Sequence, residues 1–171
     1  HCINPAHQFP VVRGIPRFVT AEQPLTGQNV DTAAAFGWEW QEFHELHDMA
    51  TYQAQFLDWI EPIAPDYFTD KVVLDAGCGM GRFSLVSSTF GAKQVLAIDA
   101  SLAVEAAWQN ARTFPNVHVI QGDIHHLPLR RDETGQVDFV FSIGVLHHLD
   151  QPQAGFTALT HHLKPEGAIF A

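Results

Sequence analysis

The sequence Val72-Val73-Leu74-Asp75-Ala76-Gly77-Cys78-Gly79-Met80-Gly81-Arg82-Phe83 is the most informative stretch of this chain. It begins with a short, uninterrupted apolar run, which is typical of a strand buried in a parallel sheet. Three glycines at alternate positions follow, and glycine lets a backbone turn sharply and approach a ligand closely. A helical pattern then begins at Arg82, and the amide-rich start of that helix faces the same point. This order predicts a nucleotide-type pocket at the carboxyl edge of an α/β sheet.

The spacing of the glycines indicates which nucleotide binds. A dinucleotide fingerprint is G-x-G-x-x-G, whereas the third glycine here, Gly81, comes one residue early. An acid, Asp75, also stands at the end of the strand, just before the first glycine. The segment from Asp75 to Gly81 resembles motif I of the class I S-adenosylmethionine-dependent methyltransferases. The resemblance implies that this loop holds the methionine half of S-adenosylmethionine or of its product, S-adenosylhomocysteine.

A second predicted strand, residues 94–98, ends at Asp99, 18 residues after Gly81. That distance is close to the interval of about 20 residues at which an acid meets the ribose in such folds. A carboxylate suits this task because it accepts two hydrogen bonds from a vicinal diol. The alternative is that Asp99 merely neighbours a helix cap, since Ser101 is predicted to begin a helix that runs to about Arg112.

The third and fourth predicted strands, residues 117–120 and 137–142, are followed by further family-like segments. The resemblance implies that Asp123 accepts a hydrogen bond from the adenine amino group and that Ile124 donates one and covers the ring; the alternative is a turn acid. Residues 143–152 resemble the segment after strand four in small-molecule (type 11-like) members. This loop would overhang the sulfonium, so His147 or His148 could orient an acceptor or take its proton.

The resemblance implies a three-layer α/β sandwich with a mostly parallel, Rossmann-like sheet in the order 3-2-1-4-5. It also implies one cofactor site, catalytic roles for His147 and His148, and no metal. The predicted cofactor-binding residues are Asp75, Gly77, Cys78, Gly79, Gly81, Asp99, Ala100, Asp123, Ile124, Ser142 and Ile143.

Two domains are predicted, an N-terminal arm or remnant module at 1–30 and a methyltransferase domain at 31–171 with its core at 70–171. Residues 9–19 form two extended pieces around a Gly-Ile-Pro turn and resemble the end of a zinc-ribbon-like module. The N-terminal segment contains one cysteine, Cys2, and no C-x-x-C pair, so we expect the zinc-ribbon-like module to be degenerate. His1, Cys2 and His7 would make only a weak set of metal ligands. The family usually adds two strands after strand five, so we expect a truncated chain or a homodimer across the open sheet edge.

Residues 36–60 are rich in aromatic side chains and are predicted to contain a helix from about Gln41 to Ile60. Trp40, Phe43, His44 or His47 could cover the cofactor pocket, with ordinary packing or a solvated face as the alternative. A second helix is predicted from Pro152 to Leu163, with Phe156 on its inner face. The adjacent pairs at 125–126 and 161–162 are predicted to be surface histidines, because neighbouring side chains point apart.

The chain has 171 residues, of which 46% are apolar, and a formal charge of −10 with only 9 Lys and Arg. The sequence shows no basic stripe of the kind a general nucleic-acid groove needs, so a small-molecule methyl acceptor is expected. No run approaches the about 20 apolar residues of a membrane span. Two cysteines do not make a disulfide framework, and a cytoplasmic location is expected.

These observations predict an S-adenosylmethionine-dependent methyltransferase (EC 2.1.1.-) with an unidentified acceptor. The first alternative is a catalytically silent methyltransferase-like domain that binds cofactor or partners. The second is an NAD(P)-dependent oxidoreductase, which the early third glycine and Asp123 disfavour.

Overall fold

A five-stranded parallel sheet organises the chain in a computed structural model that describes residues 8–21, 24–25, 28–42, 46, 48–129 and 136–171. The strands are β1 (Val11–Val12), β2 (Ile15–Pro16), β3 (Val72–Ala76), β4 (Gln94–Asp99), β5 (Val117–Gln121), β6 (Val137–Phe141) and β7 (Leu163–Phe170). The large sheet has the order β5-β4-β3-β6-β7 with every pairing parallel. This order confirms the predicted 3-2-1-4-5 arrangement.

Two helices, α1 (Gln28–Glu42) and α2 (Met49–Trp59), precede the large sheet. Three others connect its strands: α3 (Arg82–Thr89), α4 (Val104–Ala111) and α5 (Pro152–Thr160). Single 3₁₀ turns occupy Pro65–Phe68, Ile124–His126 and Leu146–His148. None of the helices in the described ranges has the length and apolar composition that crossing a membrane requires.

Alternating side chains of β6 show why both faces of the sheet are covered. Phe139 and Phe141 point into a core of aromatic rings that includes Phe56 and Phe68. Val140 points into a second core with Leu159 of α5. Each such side chain contributes about 1.5–3 kcal/mol when it is fully buried. The predicted α/β sandwich is confirmed, with β7 at one edge of the sheet; the homodimer across that edge stays a prediction.

A short hairpin, β1–β2, precedes the sheet and packs against it. Its turn is made by Arg13 and Gly14, which have φ values of 54° and 85°, as a type I′ turn requires. After the hairpin, Arg17 is buried and its guanidinium donates to Glu105 and Gln121. The segment is therefore fixed to α4 and β5. His1, Cys2 and His7 lie outside the described residues, so the resemblance to a zinc ribbon stays a prediction.

The single helix predicted from about Gln41 to Ile60 is wrong at Leu46 and Asp48, which are not helical. The chain is already helical over α1, and a second helix starts only at Met49. Asp48 caps the start of α2, because its carboxylate accepts hydrogen bonds from the backbone N–H groups of Ala50 and Thr51. Phe43, His44 and His47 lie outside the described residues.

Two side chains near α5 are also placed differently from the prediction. The helix ends at Thr160, three residues early, and the chain turns directly into β7. His162 is consequently 1% exposed instead of lying at the surface, and Phe156 is 40% exposed instead of facing the core. Ser101 likewise caps a turn, through a bond from the Ala103 N–H, but α4 itself begins at Val104.

Candidate functional site

A cavity opens at the carboxyl ends of the central strands, where β3, β4, β5 and β6 run into their loops. Most of the predicted site residues line it: Asp75, Gly77, Cys78, Gly79, Asp99, Ala100, Asp123, Ile124, Ile143 and His148. Parallel pairing brings these ends together because it places all carboxyl ends at the same edge of the sheet.

The glycine loop after β3 is held close to the neighbouring strand. The backbone N–H groups of Gly77 and Cys78 donate to the carbonyl of Ile98, at 2.7 and 3.0 Å. Gly77 has a φ of 86°, and a Cβ at that position would overlap the side chain of Val145. Glycine is therefore needed here both for the left-handed backbone and for the close approach of the loop after β6.

Asp99 ties the loop to the end of β4. Its Oδ2 accepts from the Gly79 N–H at 2.9 Å, and its Oδ1 accepts from the N–H and the hydroxyl of Ser101 at 2.8 and 2.7 Å. A carboxylate offers roughly four acceptor sites, so about one remains for a ribose hydroxyl. The structure thus gives Asp99 a loop-ordering contact that the sequence did not predict.

Asp123 follows β5 and caps the turn Ile124–His126. Its Oδ1 accepts from the His125 N–H at 3.0 Å and lies 3.2 Å from His125 Nδ1, while Oδ2 lies 3.3 Å from His126 Nδ1. The His125 ring is largely buried and its Nε2 also lies 3.2 Å from the carbonyl of Gln151. The prediction of a surface histidine is wrong at His125, because Asp123 and Gln151 hold it between β5 and the start of α5.

Asp75 is the most strongly perturbed acid of the cavity. Burial raises its pKa to about 7, an effect that the hydrogen bond from Ser84 opposes and the nearby Asp99 charge increases. The Ser84 hydroxyl donates to Asp75 Oδ2 at 2.6 Å. Burial also raises the pKa of the Cys78 thiol, with Asp75 and Asp99 adding to the shift, so this cysteine stays protonated. A cation bound in the cavity would favour the ionised form of Asp75.

Three predicted residues do not line the cavity. Gly81 has a φ of 84°, and a Cβ there would lie 3.3 Å from the Cβ of Ala107, so it sets the approach of α3 to α4. The buried Ser142 hydroxyl donates to the Ala76 carbonyl at 2.8 Å and joins the ends of β3 and β6. His147 is exposed, with its ring 3.9 Å from the ring of His148.

Helix α1 covers the cavity with several side chains, of which Trp40 had been predicted to do so. Thr32, Ala33, Phe36 and Trp40 line the cavity, and Phe36 contacts the His148 ring edge-on with centroids 5.1 Å apart. Three of these side chains recur at helical spacing (33, 36 and 40), which is the pattern that could have identified the helix. Leu25, Met80, Arg82 and Phe83 are further lining residues that were not predicted.

The charges of the cavity fit a cationic cofactor. Asp75, Asp99 and Asp123 line it, and Arg82 is the one Lys or Arg among its described lining residues. A dinucleotide pyrophosphate would place two negative charges beside these acids, whereas a sulfonium brings a positive one. The acids would hold the ribose and amino groups, and the apolar side chains of Ile124 and Val145 suit an adenine ring. Among the described residues, no three His, Cys, Asp or Glu side chains are grouped as a metal ion requires.

Comparisons with known proteins agree with this geometry. Residues 74–171 match a family described as a methyltransferase domain. The chain is 35% identical over 104 residues to a tRNA U34 carboxymethyltransferase of Ruthia magnifica, covering 58% of this chain and 31% of that protein. It is 30% identical over 128 residues to a malonyl-[acyl-carrier protein] O-methyltransferase of Halalkalibacterium halodurans, covering 74% and 46%. The chain thus spans less than half the length of these two relatives.

The solved structures include a candidate S-adenosylmethionine-dependent methyltransferase from Listeria monocytogenes, which is 27% identical to this chain. The two superpose with a TM-score of 0.56 over 70% of this chain and 53% of that one. Three findings support one family assignment: the family match over more than half of the sequence, the sheet order and the acids at the strand ends. The chain belongs to the class I S-adenosylmethionine-dependent methyltransferases, and S-adenosylmethionine or S-adenosylhomocysteine is its cofactor.

Proposed function

We propose that the whole protein transfers the methyl group of S-adenosylmethionine to a small-molecule acceptor, or to a small group carried on a metabolite. The acceptor would enter between α1 and the loop after β6. The observation that carries this proposal is the cover: Phe36 and Trp40 of α1 line the cavity, and Phe36 contacts His148 of the opposing loop. A partly closed, apolar chamber suits a small acceptor better than a polymer.

The charge of the chain supports the same acceptor class. The formal charge is −10, with 9 Lys and Arg against 19 Asp and Glu. A nucleic-acid substrate brings a phosphate backbone, whose binding relies on several Lys and Arg contacts. The relative from Ruthia is named as a tRNA U34 carboxymethyltransferase and the one from Halalkalibacterium as a malonyl-[acyl-carrier protein] O-methyltransferase, so a nucleic acid and a small acyl group on a carrier both occur as named acceptors among similar proteins. The chamber and the charge favour the second class.

When bound, the cofactor supplies an already activated methyl group, so the protein mainly aligns donor and acceptor and keeps water away. Phe36, Trp40 and Val145 would exclude water from the chamber. His148 is half-buried and lines the cavity, and no hydrogen bond joins its ring to another described residue. We propose that its ring orients the acceptor or takes its proton. His147, exposed and outside the cavity lining, would support the His148 ring instead of contacting substrate.

The test is transfer of a labelled methyl group by the full-length protein. The panel contains small carboxylic acids, phenols, amines and thiols on one side and total tRNA on the other. We expect product from a small molecule, and His148→Gln should lower turnover about 10²-fold or more while cofactor affinity is retained. His161→Gln, an exposed histidine at the end of α5, is the matched control.

Methylation of tRNA with none of the metabolites would contradict the small-molecule acceptor. Cofactor binding without any turnover across both sides of the panel would instead favour the catalytically silent domain. An unchanged rate in His148→Gln would remove the role given to that ring.

A further inference from the structure

We propose that Arg17, in the N-terminal segment, is a positioning residue for cofactor binding. It acts through Gln121 on the backbone of Ala100 and Ser101, two residues that line the cavity after β4. Arg17 is not among the described residues that line the cavity, so its guanidinium would not contact the cofactor. The inference rests on the place of the loop after β4 in the cofactor site. Its test needs no acceptor, so it stands or fails independently of the acceptor proposed above.

The N-terminal segment extends the large sheet beside β5. Arg17 pairs with Gln121 in a parallel bridge, and the Phe18 N–H donates to the Gln121 carbonyl at 2.8 Å. The hairpin before it is packed equally closely, since a Cβ at Gly14 would overlap the ring of Trp108 in α4. The backbone of Arg17 is therefore fixed relative to both β5 and α4.

Two buried polar side chains connect this backbone to the cavity. Arg17 is 6% exposed; its Nη1 donates to Gln121 Oε1 at 3.3 Å, and its Nη2 donates to Glu105. Because a guanidinium carries only donors, it holds the Gln121 amide with the oxygen toward Arg17 and the nitrogen away from it. That nitrogen donates to the Ala100 carbonyl at 3.0 Å and lies 3.5 Å from the Ser101 carbonyl.

The loop that Gln121 holds is the one that orders the strand-end acid. The N–H and hydroxyl of Ser101 donate to Asp99, which in turn accepts from the Gly79 N–H. A series of contacts thus connects Arg17, outside the cavity, with the glycine loop that lines it. A site that is ordered before the ligand arrives binds more tightly, because less ordering is left to be done on binding.

The competing explanation is that Arg17 only fastens the hairpin to α4. Arg13 of the same hairpin shows what such a contact looks like: its Nη1 lies 3.6 Å from Glu105, and its side chain is 76% exposed. Within the described residues, Gln121 accepts from Arg17 and not from Arg13. Fastening alone predicts a less stable protein whose folded form binds the cofactor normally. Positioning predicts that the folded form binds the cofactor less tightly.

The experiment separates these two effects in the full-length protein. Calorimetry with S-adenosylhomocysteine measures cofactor affinity, and thermal unfolding without ligand measures stability. Arg17→Met, Gln121→Met and the double variant remove the hydrogen bonds and retain an unbranched side chain. Gln121→Glu keeps an acceptor for Arg17 but loses the donor to the Ala100 carbonyl. Arg13→Gln is the matched control, because it removes the exposed contact with Glu105.

We expect Arg17→Met and Gln121→Met each to lose about 3- to 10-fold in cofactor affinity, the scale of one hydrogen bond. The double variant should lose no more than the larger single loss, because both changes interrupt the same series of contacts. Arg17→Lys should restore part of the loss. Gln121→Glu should lose affinity as Gln121→Met does, with a stability closer to wild type, and Arg13→Gln should bind as wild type.

Three results would overturn the proposal. Arg17→Met could lose stability while its folded form keeps wild-type affinity, which would leave Arg17 as a fastening residue only. Both Gln121 variants could bind the cofactor normally, which would remove the connection to Ala100. The losses of the two single variants could multiply in the double variant, which would mean that Arg17 does not act through Gln121. If Arg17→Met does not fold, Arg17→Lys takes its place in the comparison under the same criteria.

Discussion

The sheet with its strand-end loops and the helix that covers them contribute to the same cavity in different ways. In the sheet region, 72–171, an apolar run ends in an acid or a glycine, and parallel pairing brings these ends together. The covering helix α1 has no such local pattern. Phe36 reaches the cavity by packing against His148 of the loop after β6, and Trp40 by packing next to Gly79 of the glycine loop. The proposed cofactor half of the site is thus encoded in local sequence, whereas the proposed acceptor half depends on the packing of α1.

This comparison predicts that changes in the two regions have different consequences. A change in the glycine loop or at a strand-end acid should lower cofactor affinity. A change in α1 should leave cofactor affinity nearly intact and lower turnover.

The largest effect is expected for Gly79→Val, which should lower cofactor affinity at least about 100-fold, or about 2.8 kcal/mol. Gly79 has a φ of 53°, and a Cβ there would lie 3.0 Å from the indole Nε1 of Trp40. The branched side chain would therefore strain the loop and displace the cover at once. Gly91→Val is the matched control, since Gly91 has a φ of 89° but does not line the cavity. Calorimetry on folded protein is the measurement; unchanged affinity would make the loop a structural turn.

The next effect is expected for Asp99→Ala, which should weaken cofactor binding by about 1.5–3 kcal/mol, the scale of hydrogen bonds to a charged group. The variant removes both the proposed ribose acceptor and the hydrogen bond from the Gly79 N–H. Ser101→Ala keeps the carboxylate and removes only one of its donors, so it should cost much less. Wild-type affinity in Asp99→Ala, measured by calorimetry, would remove the ribose assignment.

The sequence predicted the sheet order and the gathering of the strand-end residues because each depends on short local patterns. It did not predict where helices end against their neighbours. His162 is buried because α5 stops at Thr160, and Phe156 is exposed for lack of a partner surface in the described part of the chain. It also did not predict that the hydroxyl of Ser142, a residue assigned to the cofactor, joins the ends of two strands. A polar side chain at a motif position can bond to the backbone or to the ligand, and the sequence does not distinguish these two roles.

A smaller effect is expected for Phe36→Ala, which tests the cover directly. Loss of its edge contact with His148 should cost about 0.5–1.5 kcal/mol, or roughly 2- to 12-fold in turnover of the acceptor. Trp38→Ala is the matched control, because Trp38 lies on the same helix and is 67% exposed. Initial rates and cofactor calorimetry are measured in parallel. If Phe36→Ala reduces cofactor affinity more than turnover, the division of the site between α1 and the sheet is wrong.

The smallest effect concerns the charge of Asp75 and the reacting sulfur. S-adenosylmethionine carries a sulfonium, whereas S-adenosylhomocysteine carries a neutral thioether, so the ratio of their affinities isolates the response of the site to that one charge. Burial raises the pKa of Asp75 to about 7. Asp75 is therefore mostly protonated at pH 6 and mostly ionised at pH 8. The preference for S-adenosylmethionine should rise with pH across this window by about two- to fivefold, as for a screened pair worth about 0.5–1 kcal/mol.

The sign of the same shift can be checked on stability. Because the pKa of Asp75 is higher in the folded protein than its ordinary value of 3.8, the folded form binds more protons between about pH 4 and 7, and stability should fall as pH rises through that range. Asp75→Asn should flatten both the affinity ratio and this part of the stability profile. Effects of pH on groups common to both ligands cancel in the ratio. In wild type, the affinity ratio could stay constant with pH while stability still falls between about pH 4 and 7. That result would mean that the charge of Asp75 does not act on the sulfonium, and that its burial only stabilises the glycine loop.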